Sequence, residues 1–278
     1  MSTMAPVKTA RLGRKGHAIR RVGGALAQGA RMLILPVIVL VVLVVVWWLI
    51  VINFGIAQYL LPTPGDVWHS LWSNTGILGD SLMETGKEVV VGFLVSGAIA
   101  VPLGIALGES RVLQAILYPL MVMAQLTPKV AFAPLMIVWF GLGLTSKIIF
   151  IFLVSFFAII INTMVGVTSA SSDFRRLADS VGLGRFATLW KVTLPQALPN
   201  IFTGLKIGMT LAVIGAVVAE FVSAQSGLGF LILTAQGQVD TPLLFASILV
   251  LTAMGLVLYG IVAVLEWLAM PWQRRARS

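Results

Sequence analysis

The feature that most constrains this chain is the length of its charge-free apolar runs. No Asp, Glu, Lys or Arg falls between Arg31 and Asp66, and residues 32–52 read MLILPVIVLVVLVVVWWLIVI. A helix rises about 1.5 Å per residue, so such a run crosses a hydrocarbon core of about 30 Å. Other long charge-free windows follow at 89–108, 112–128, 130–146, 148–172, 221–239 and 241–265. The chain is therefore predicted to cross a membrane several times as helices.

Composition excludes most other classes of protein. Hydrophobic residues make up 59% of the chain and charged residues 10%, against about 25% charged residues in a soluble domain. So few charges cannot cover so much apolar surface in water, and the same balance excludes a disordered chain. There is no cysteine, and two histidines, His17 and His69, are too few for a histidine-built metal or acid–base site. We therefore predict an all-α polytopic membrane protein with no catalytic residues and no metal site.

Six membrane spans fit the charge pattern best. They are predicted at 32–55, 87–108, 114–140, 145–166, 200–222 and 243–268. Pro128 lies near the middle of the third span, and proline removes a backbone donor and kinks a helix. The third span is therefore predicted to be a broken helix or two short helices. In the second span, Gly104 and Gly108 form a small-xxx-small face that favours close helix packing.

The distribution of Lys and Arg predicts the orientation in the membrane. With the N-terminus inside, fifteen of the nineteen lie in the tail 1–31, at Arg111, in the loop 167–199 or in the C-terminal tail. The predicted outer segments, 56–86 and 223–242, contain none. Positive residues are enriched on the cytoplasmic side, so both termini are predicted to be cytoplasmic. The net charge of +9 fits contact with anionic membrane lipid, and nucleic-acid binding is not expected.

The predicted cytoplasmic loop 167–199 carries a spaced pattern. Asp173 can cap a first amphipathic helix, and Gly182 can end it in the left-handed conformation that glycine readily adopts. The pattern begins with a three-residue box, Arg176, Leu177 and Ala178. After three variable residues comes Gly182, and after nine more come Val192, one variable residue, Leu194 and Pro195. This pattern resembles the loop of ABC importer membrane subunits, written Glu-Ala-Ala-x3-Gly-x9-Ile-x-Leu-Pro. This sequence departs from it at Arg176, Leu177 and Val192.

The resemblance extends well beyond the loop, over about residues 55–270. Four further stretches are similar to the nitrate/sulfonate/taurine branch of binding-protein-dependent permeases: LLPTPGDVW at 60–68, APLMIVWFGLGLTSKI at 133–148, LPQALPNIFTGLKIGM at 194–209 and IGAVVAEFVSAQSGLGFLI at 214–232. The resemblance implies a type I ABC importer permease core.

The charge pattern and the resemblance together predict the organisation of the chain. The charge pattern predicts a basic cytoplasmic tail, 1–31, and a first transmembrane helix, 32–55. The resemblance implies that a permease core, 83–270, follows them, in a bacterial plasma (inner) membrane. The loop 167–199 becomes a coupling loop, and its apolar side chains form a hypothetical docking face of Phe174, Leu177, Ala178, Phe186, Leu189 and Trp190.

The implied partners are a cytoplasmic ABC ATPase dimer, an extracytoplasmic substrate-binding protein and a second copy of the permease. The sequence contains no G-x-x-x-x-G-K-[ST] phosphate-binding loop. ATP and Mg are therefore expected in the partner ATPase, and no cofactor is expected in this chain.

Polar residues within the spans are candidate functional residues because they are costly there. Gln125, Thr127 and Lys129 interrupt the third span, where non-helical backbone must face protein or a water-filled cavity. Together with Glu220 they are the predicted translocation-path residues. The alternative for this interruption is a kink that serves packing alone.

The fifth span contains two charged residues, Glu220 and Lys206, which are expected to have different surroundings. Glu220 is expected to form a salt bridge to a neighbouring span, with Lys129 or Lys147 as its partner. Lys206 lies 14 residues before Glu220, about 21 Å along a helix, so the two cannot pair. Lys206 is expected to extend toward the cytoplasmic interface, as long cationic side chains do.

The function predicted on these grounds is the permease subunit of an ATP-driven importer. The branch that it resembles suggests a small anion such as a sulfonate, taurine or nitrate. A vitamin precursor or an aromatic acid is the alternative substrate. An integral membrane enzyme and an ion-driven carrier remain the alternative classes, and a dependence of transport on a co-purifying ATPase separates them from the importer.

Overall fold

The computed structural model describes residues 35–170, 178, 180–223 and 225–272, and the regular structure within them is helical. The chain separates into two compact units, Met1–Gly65 and Asp66–Ser278. In the first unit, helix α1 runs from Leu35 to Asn53, inside the span predicted at 32–55. Most of its side chains are exposed, as suits a helix that faces lipid.

The second unit contains most of the protein. Its helices are α2 (Pro64–Ser73), α3 (Thr75–Glu109), α4 (Arg111–Leu126), a short 3-10 helix (Lys129–Phe132), α5 (Ala133–Phe140), α6 (Leu144–Thr168), α7 (Arg185–Ser223), α8 (Leu228–Gly237) and α9 (Thr241–Ala269). Within the described residues, α1, α3, α6, α7 and α9 are each long and apolar enough to cross a membrane.

The structure confirms the prediction of about six apolar spans. The largest difference between predicted and observed bounds is at the start of the second span. Helix α3 begins at Thr75, whereas the charge pattern predicted a span starting at residue 87. Asp80 and Glu84, which lie before the predicted span, are therefore on the helix, because a helix can extend beyond the membrane where its side chains are solvated. The predicted core boundary at residue 83 consequently falls inside α3.

The third span is broken, as predicted from Pro128. Helix α4 ends at Leu126, the chain turns by 81°, and the helical segment Lys129–Phe140 follows. Pro128 has no N–H to donate, and the residue before a proline is driven out of the α-helical conformation. Thr127 accordingly has an extended backbone, with ψ of 132°.

The core of the second unit forms where α3, α6 and α7 pack together. Fully buried apolar residues meet there from all three helices: Val89, Ala100, Ile151, Ile159, Ala212 and Ala216. A Cβ added at Gly104 would lie 2.6 Å from Cβ of Thr163, and one at Gly208 would lie 2.6 Å from Ile159. Small residues thus let the helix backbones approach closely, and the packing role predicted for Gly104 is confirmed.

Helix α7 is irregular near its start. Residues Leu189–Thr193 form a π-helical stretch before the regular α-helix that begins at Leu194. Pro195 explains the irregularity, because it cannot donate to the carbonyl of Lys191 and its ring crowds that carbonyl. The Leu-Pro pair of the sequence pattern therefore marks the place where the loop enters the long helix.

Candidate functional site

Helix α7 connects two of the regions in which candidate functional residues lie. It spans 39 residues from Arg185 to Ser223, which corresponds to about 58 Å of helix. One end lies within the predicted coupling loop, 167–199, and we refer to it as the loop end. The other end carries Glu220, and we refer to it as the Glu220 end.

At the loop end, the glycine of the sequence pattern has the backbone conformation that the pattern requires. Gly182 has φ of +77°, in the left-handed region that side chains disfavour. The N–H of Leu183 donates to the carbonyl of Ala178 at 3.0 Å, which ends the preceding helical turn in the manner of a glycine cap. Of the other pattern residues, Arg176 and Leu177 lie outside the described residues.

The loop end also exposes an aromatic pair. The side chains of Phe186 and Trp190 are 76% and 56% exposed, and their ring centroids lie 6.1 Å apart. Phe174 and Leu177 of the predicted docking face lie outside the described residues, Ala178 is buried and Leu189 is half-buried. Among the described members of that face, Phe186 and Trp190 are therefore the exposed ones. Large exposed aromatic side chains are typical of protein–protein contact surfaces.

The remaining pattern residues are Val192, Leu194 and Pro195. All three are half-buried at the start of α7, where Leu194 packs against the cluster formed by Val167, Ala197 and Ile201. They therefore anchor the loop to the helical core instead of facing outward.

At the Glu220 end, the Glu220 carboxylate is buried and holds three elements together. The Thr85 hydroxyl on α3 donates to its Oε1 at 2.6 Å, and the backbone N–H of Gly229 donates to its Oε2 at 2.6 Å. The N–H of Leu228 in turn donates to Thr85 Oγ1 at 2.8 Å. The carboxylate thus occupies the N-terminus of α8, where the free N–H groups and the helix dipole favour a negative charge.

The two glycines beside Glu220 are required by this arrangement. A Cβ at Gly229 would lie 2.7 Å from Glu220 Oε2, and one at Gly227 would overlap the same carboxylate. Gly227 also has φ of +105°. The Gly-Leu-Gly stretch thus lets the backbone approach the carboxylate closely.

A buried ion pair lies next to Glu220. Lys147 on α6 and Glu88 on α3 are 5% and 0% exposed, and Lys147 Nζ lies 2.5 Å from Glu88 Oε1. The salt bridge expected between Glu220 and Lys147 or Lys129 is therefore not formed. Glu220 instead satisfies its oxygens with Thr85 and a backbone N–H, because the start of α8 lies directly beside it.

The predicted path residues of the broken span lie apart from Glu220. Gln125 and Thr127 are exposed, and Lys129 Nζ lies 5.1 Å from the ring centroid of Phe157, a cation–π distance. Phe157 is ten residues beyond Lys147 on α6, about 15 Å along the helix. The structure therefore separates Lys129 from the cluster around Glu220.

Lys206 forms an ion pair that the sequence did not predict. Its Nζ lies 2.7 Å from Oε2 of Glu266, three residues before the end of α9, and both side chains are about one-fifth exposed. The extension of Lys206 toward the cytoplasmic interface stays a prediction.

Sequence reasoning missed Thr85, Glu88 and Gly229 as members of the Glu220 cluster. Thr85 and Glu220 are 135 positions apart in the sequence, so no linear motif connects them. Gly229 is only nine positions from Glu220 and lies in the same quoted stretch, 214–232, but nothing in that stretch indicates the contact. The available signal was weak: Glu88 stands at the edge of a charge-free window, the position of an interfacial charge, and Lys147 was predicted as a partner of Glu220 and not of Glu88. Within the part of the chain that the structure describes, no three His, Cys, Asp or Glu residues could jointly hold a metal ion.

Comparison with known proteins shows the family to which the chain is similar. Residues 100–268 match the family described as "binding-protein-dependent transport system inner membrane component". The riboflavin transport system permease protein RibX of Chloroflexus aurantiacus is 39% identical over 79% of this chain and 82% of RibX. The formylaminopyrimidine transport permease protein ThiX of Halalkalibacterium halodurans is 33% identical over 78% of this chain and 87% of ThiX. The taurine transport system permease protein TauC of Escherichia coli K12 is 33% identical over 78% of this chain and 82% of TauC.

The chain belongs to the family of binding-protein-dependent transport system inner membrane components. It is thus a multi-pass ABC transporter permease for small solutes. The family is one of transport permeases and not of enzymes.

Proposed function

We propose that this chain is the membrane subunit of an ATP-driven importer and that loop 167–199 docks onto a cytoplasmic ATPase. The observation that carries the proposal is the continuity of α7 from Arg185 to Ser223. A packed helix moves as a rigid body, so a displacement at the loop end is transmitted to the Glu220 end. The exposed pair Phe186 and Trp190 supplies the apolar contact with the ATPase.

The orientation follows from the distribution of positive charge. With both termini in the cytoplasm of a bacterium and the chain in its plasma membrane, the loop end faces inward and the Glu220 end faces outward. The Glu220 end then meets an extracytoplasmic binding protein that delivers the solute. A second copy of the permease and an ATPase dimer complete the complex, with ATP and Mg bound by the ATPase.

The proposed substrate is a small sulfonate, taurine, nitrate or a similar anion. The similarity to TauC supports this class, whereas the similarity to RibX and ThiX supports a vitamin or vitamin precursor as the alternative. Gln125, Thr127, Lys129 and Glu220 remain the proposed path residues. If Lys129→Ala leaves assembly and transport unchanged, Lys129 has no place in the path.

The function is tested by uptake into proteoliposomes that contain this permease and its co-expressed ATPase, with the binding protein added. We expect the ATPase to co-purify and uptake to require ATP. Uptake driven by an ion gradient without any ATPase would refute the importer.

The role of the loop is tested by a matched pair of glycine substitutions. Gly182 and Gly184 both have open space where a Cβ would lie, but Gly182 has φ of +77° and Gly184 has φ of −67°. Gly182→Ala should therefore strain the loop and reduce ATP-dependent uptake severalfold, while the membrane subunit still inserts. Gly184→Ala should retain uptake, and equal uptake by both variants would remove the coupling role of Gly182.

A further inference from the structure

A small polar cavity lies beside the Glu220 cluster. Its volume is about 160 Å³, enough for a group of a few heavy atoms. Three parts of the second unit enclose it: α3, the turn and first residues of α6, and the chain that follows α7. The polar side chains in its wall are Glu84, Glu88, Lys147, Ser223, Gln225 and Ser226.

The charges in this wall do not balance. Glu84 and Glu88 are carboxylates, whereas Lys147 is the one cation among the described residues that line the cavity. Lys147 is already bound to Glu88 Oε1. Glu84 and Glu88 are four residues apart on one face of α3, a spacing at which like charges repel each other. A positive group in the cavity would relieve that repulsion.

Glu88 supplies an independent observation. Its side chain is 0% exposed, yet its Oε2 has no hydrogen-bond partner. Buried carboxylate oxygens are normally paired, because the loss of hydration must be compensated. The other oxygen, Oε1, is compensated by the ammonium group of Lys147, which identifies the kind of donor that this carboxylate accepts.

We propose that the cavity binds a primary ammonium group, which comes either from the transported solute or from a free amine. An ammonium group offers three N–H donors and no acceptor, and so it matches Glu84 together with the unpaired oxygen of Glu88. An anion would meet two carboxylates and a lysine that is already engaged. A divalent metal lacks a group of three suitable ligands within the described residues. The solute form of the proposal rests on the transport function proposed above.

The test uses the full-length permease, purified in detergent, with methylammonium chloride as the probe. Thermal unfolding is followed during a titration, and tetramethylammonium chloride at the same concentrations serves as the control because it carries the same charge without an N–H donor. The variant is Glu84→Gln, since Glu84 is only half-buried and its replacement need not disturb folding. Asp80→Asn is the matched control: it is exposed and lies one helical turn earlier on α3.

We expect methylammonium to raise the Tm of the unaltered protein and of Asp80→Asn. The Kd obtained from the titration should rise about tenfold in Glu84→Gln, because one charge-assisted hydrogen bond is lost. Equal stabilisation by tetramethylammonium, or an unchanged Kd in Glu84→Gln, would overturn the proposal.

A transport measurement distinguishes the two sources of the ammonium group. Uptake of taurine and of isethionate, which carries a hydroxyl in place of the amino group, is compared in proteoliposomes of the complete transporter. If the solute supplies the group, taurine is preferred and Glu84→Gln reduces the preference. If a free amine supplies it, both are taken up equally while methylammonium still binds. If neither taurine nor isethionate is transported, the proposed substrate class is wrong. The titration with methylammonium then tests the binding site by itself.

Discussion

The two ends of α7 differ in the exposure of their side chains and in the hydrogen bonds that those side chains form. At the loop end, Phe186 and Trp190 are exposed and Gly182 has a left-handed backbone. At the Glu220 end, Glu220 and Thr85 are buried, and both carboxylate oxygens of Glu220 accept hydrogen bonds from neighbouring elements. One helix thus joins an exposed aromatic surface to a buried polar cluster.

The difference predicts that mutations at the two ends act on different quantities. A buried polar cluster is costly when one member is removed, because its partners are left without compensation. Exposed aromatic side chains contribute little to the stability of the free subunit. Substitutions at the Glu220 end should therefore change the free energy of unfolding, and those at the loop end should change the binding of the ATPase.

The largest effect on stability is expected for Lys147→Met. It leaves the fully buried Glu88 carboxylate without its cation, which costs about 3–5 kcal/mol in buried ion pairs. The free energy of unfolding of the purified subunit in detergent measures this loss.

The double variant Lys147→Met/Glu88→Leu is its control. Removing both charges should restore most of the lost stability, because well-packed apolar side chains can replace a buried pair. A double variant as unstable as Lys147→Met would mean that packing, and not the unpaired charge, causes the loss.

A smaller effect is expected for Thr85→Val. The substitution removes the hydroxyl that connects Glu220 with the N–H of Leu228 and leaves both groups without that bond, at a cost of about 1–3 kcal/mol. Thr252→Val is the matched control, since Thr252 is exposed and bonds only to the carbonyl of Ile248 in its own helix. If both variants lose the same stability in denaturant unfolding, Thr85 does not hold the three elements together.

The ion pair between Lys206 and Glu266 should contribute less to the free energy of unfolding than the hydrogen bonds of Thr85. It lies between the two ends of α7, and both side chains are about one-fifth exposed. We expect Lys206→Met to change the free energy of unfolding by at most about 1 kcal/mol, as found for partly exposed pairs. If Lys206→Met lowered the free energy of unfolding as much as Lys147→Met, the pair of Lys206 and Glu266 would stabilise the fold as strongly as the buried pair of Lys147 and Glu88.

The smallest change in stability is expected for the double variant Phe186→Ser/Trp190→Ser, within about 0.5 kcal/mol, because both side chains are exposed. The same variant should lose most of the co-purifying ATPase, since the aromatic contact is removed. Trp68→Ser, equally exposed on α2 at 62%, should retain the ATPase. Normal ATPase recovery with Phe186→Ser/Trp190→Ser would exclude these side chains from the interface.

The contrast between the two ends also explains what the sequence could predict. The loop end was predictable because its pattern is local: Gly182, Leu194 and Pro195 act on the backbone of their own segment. The break at Pro128 and the close packing at Gly104 were predictable for the same reason.

The Glu220 cluster could not be read from sequence, because its geometry depends on tertiary packing. Thr85, Lys147 and Gly229 reach Glu220 or its neighbour Glu88 only once α3, α6 and α8 are assembled around α7. A lone carboxylate in an apolar span suggests a salt bridge, whereas the structure provides a hydroxyl and a helix N-terminus. The start of α3 was missed because the charges of Asp80 and Glu84 resemble those of loop residues.

A distance measurement can test whether α7 couples the loop end to the Glu220 end. The chain has no cysteine, so spin labels can be placed at Asp80→Cys and Gln225→Cys, two exposed positions on α3 and just beyond α7. Their separation is measured in the complete transporter without nucleotide and with ATP trapped, and a pair at Ile77→Cys and Leu94→Cys within α3 serves as the control. We expect the separation to differ between the two states, Gly182→Ala to abolish that difference, and the control pair to show no difference. Identical distance distributions in both states of a transport-active complex would contradict this coupling.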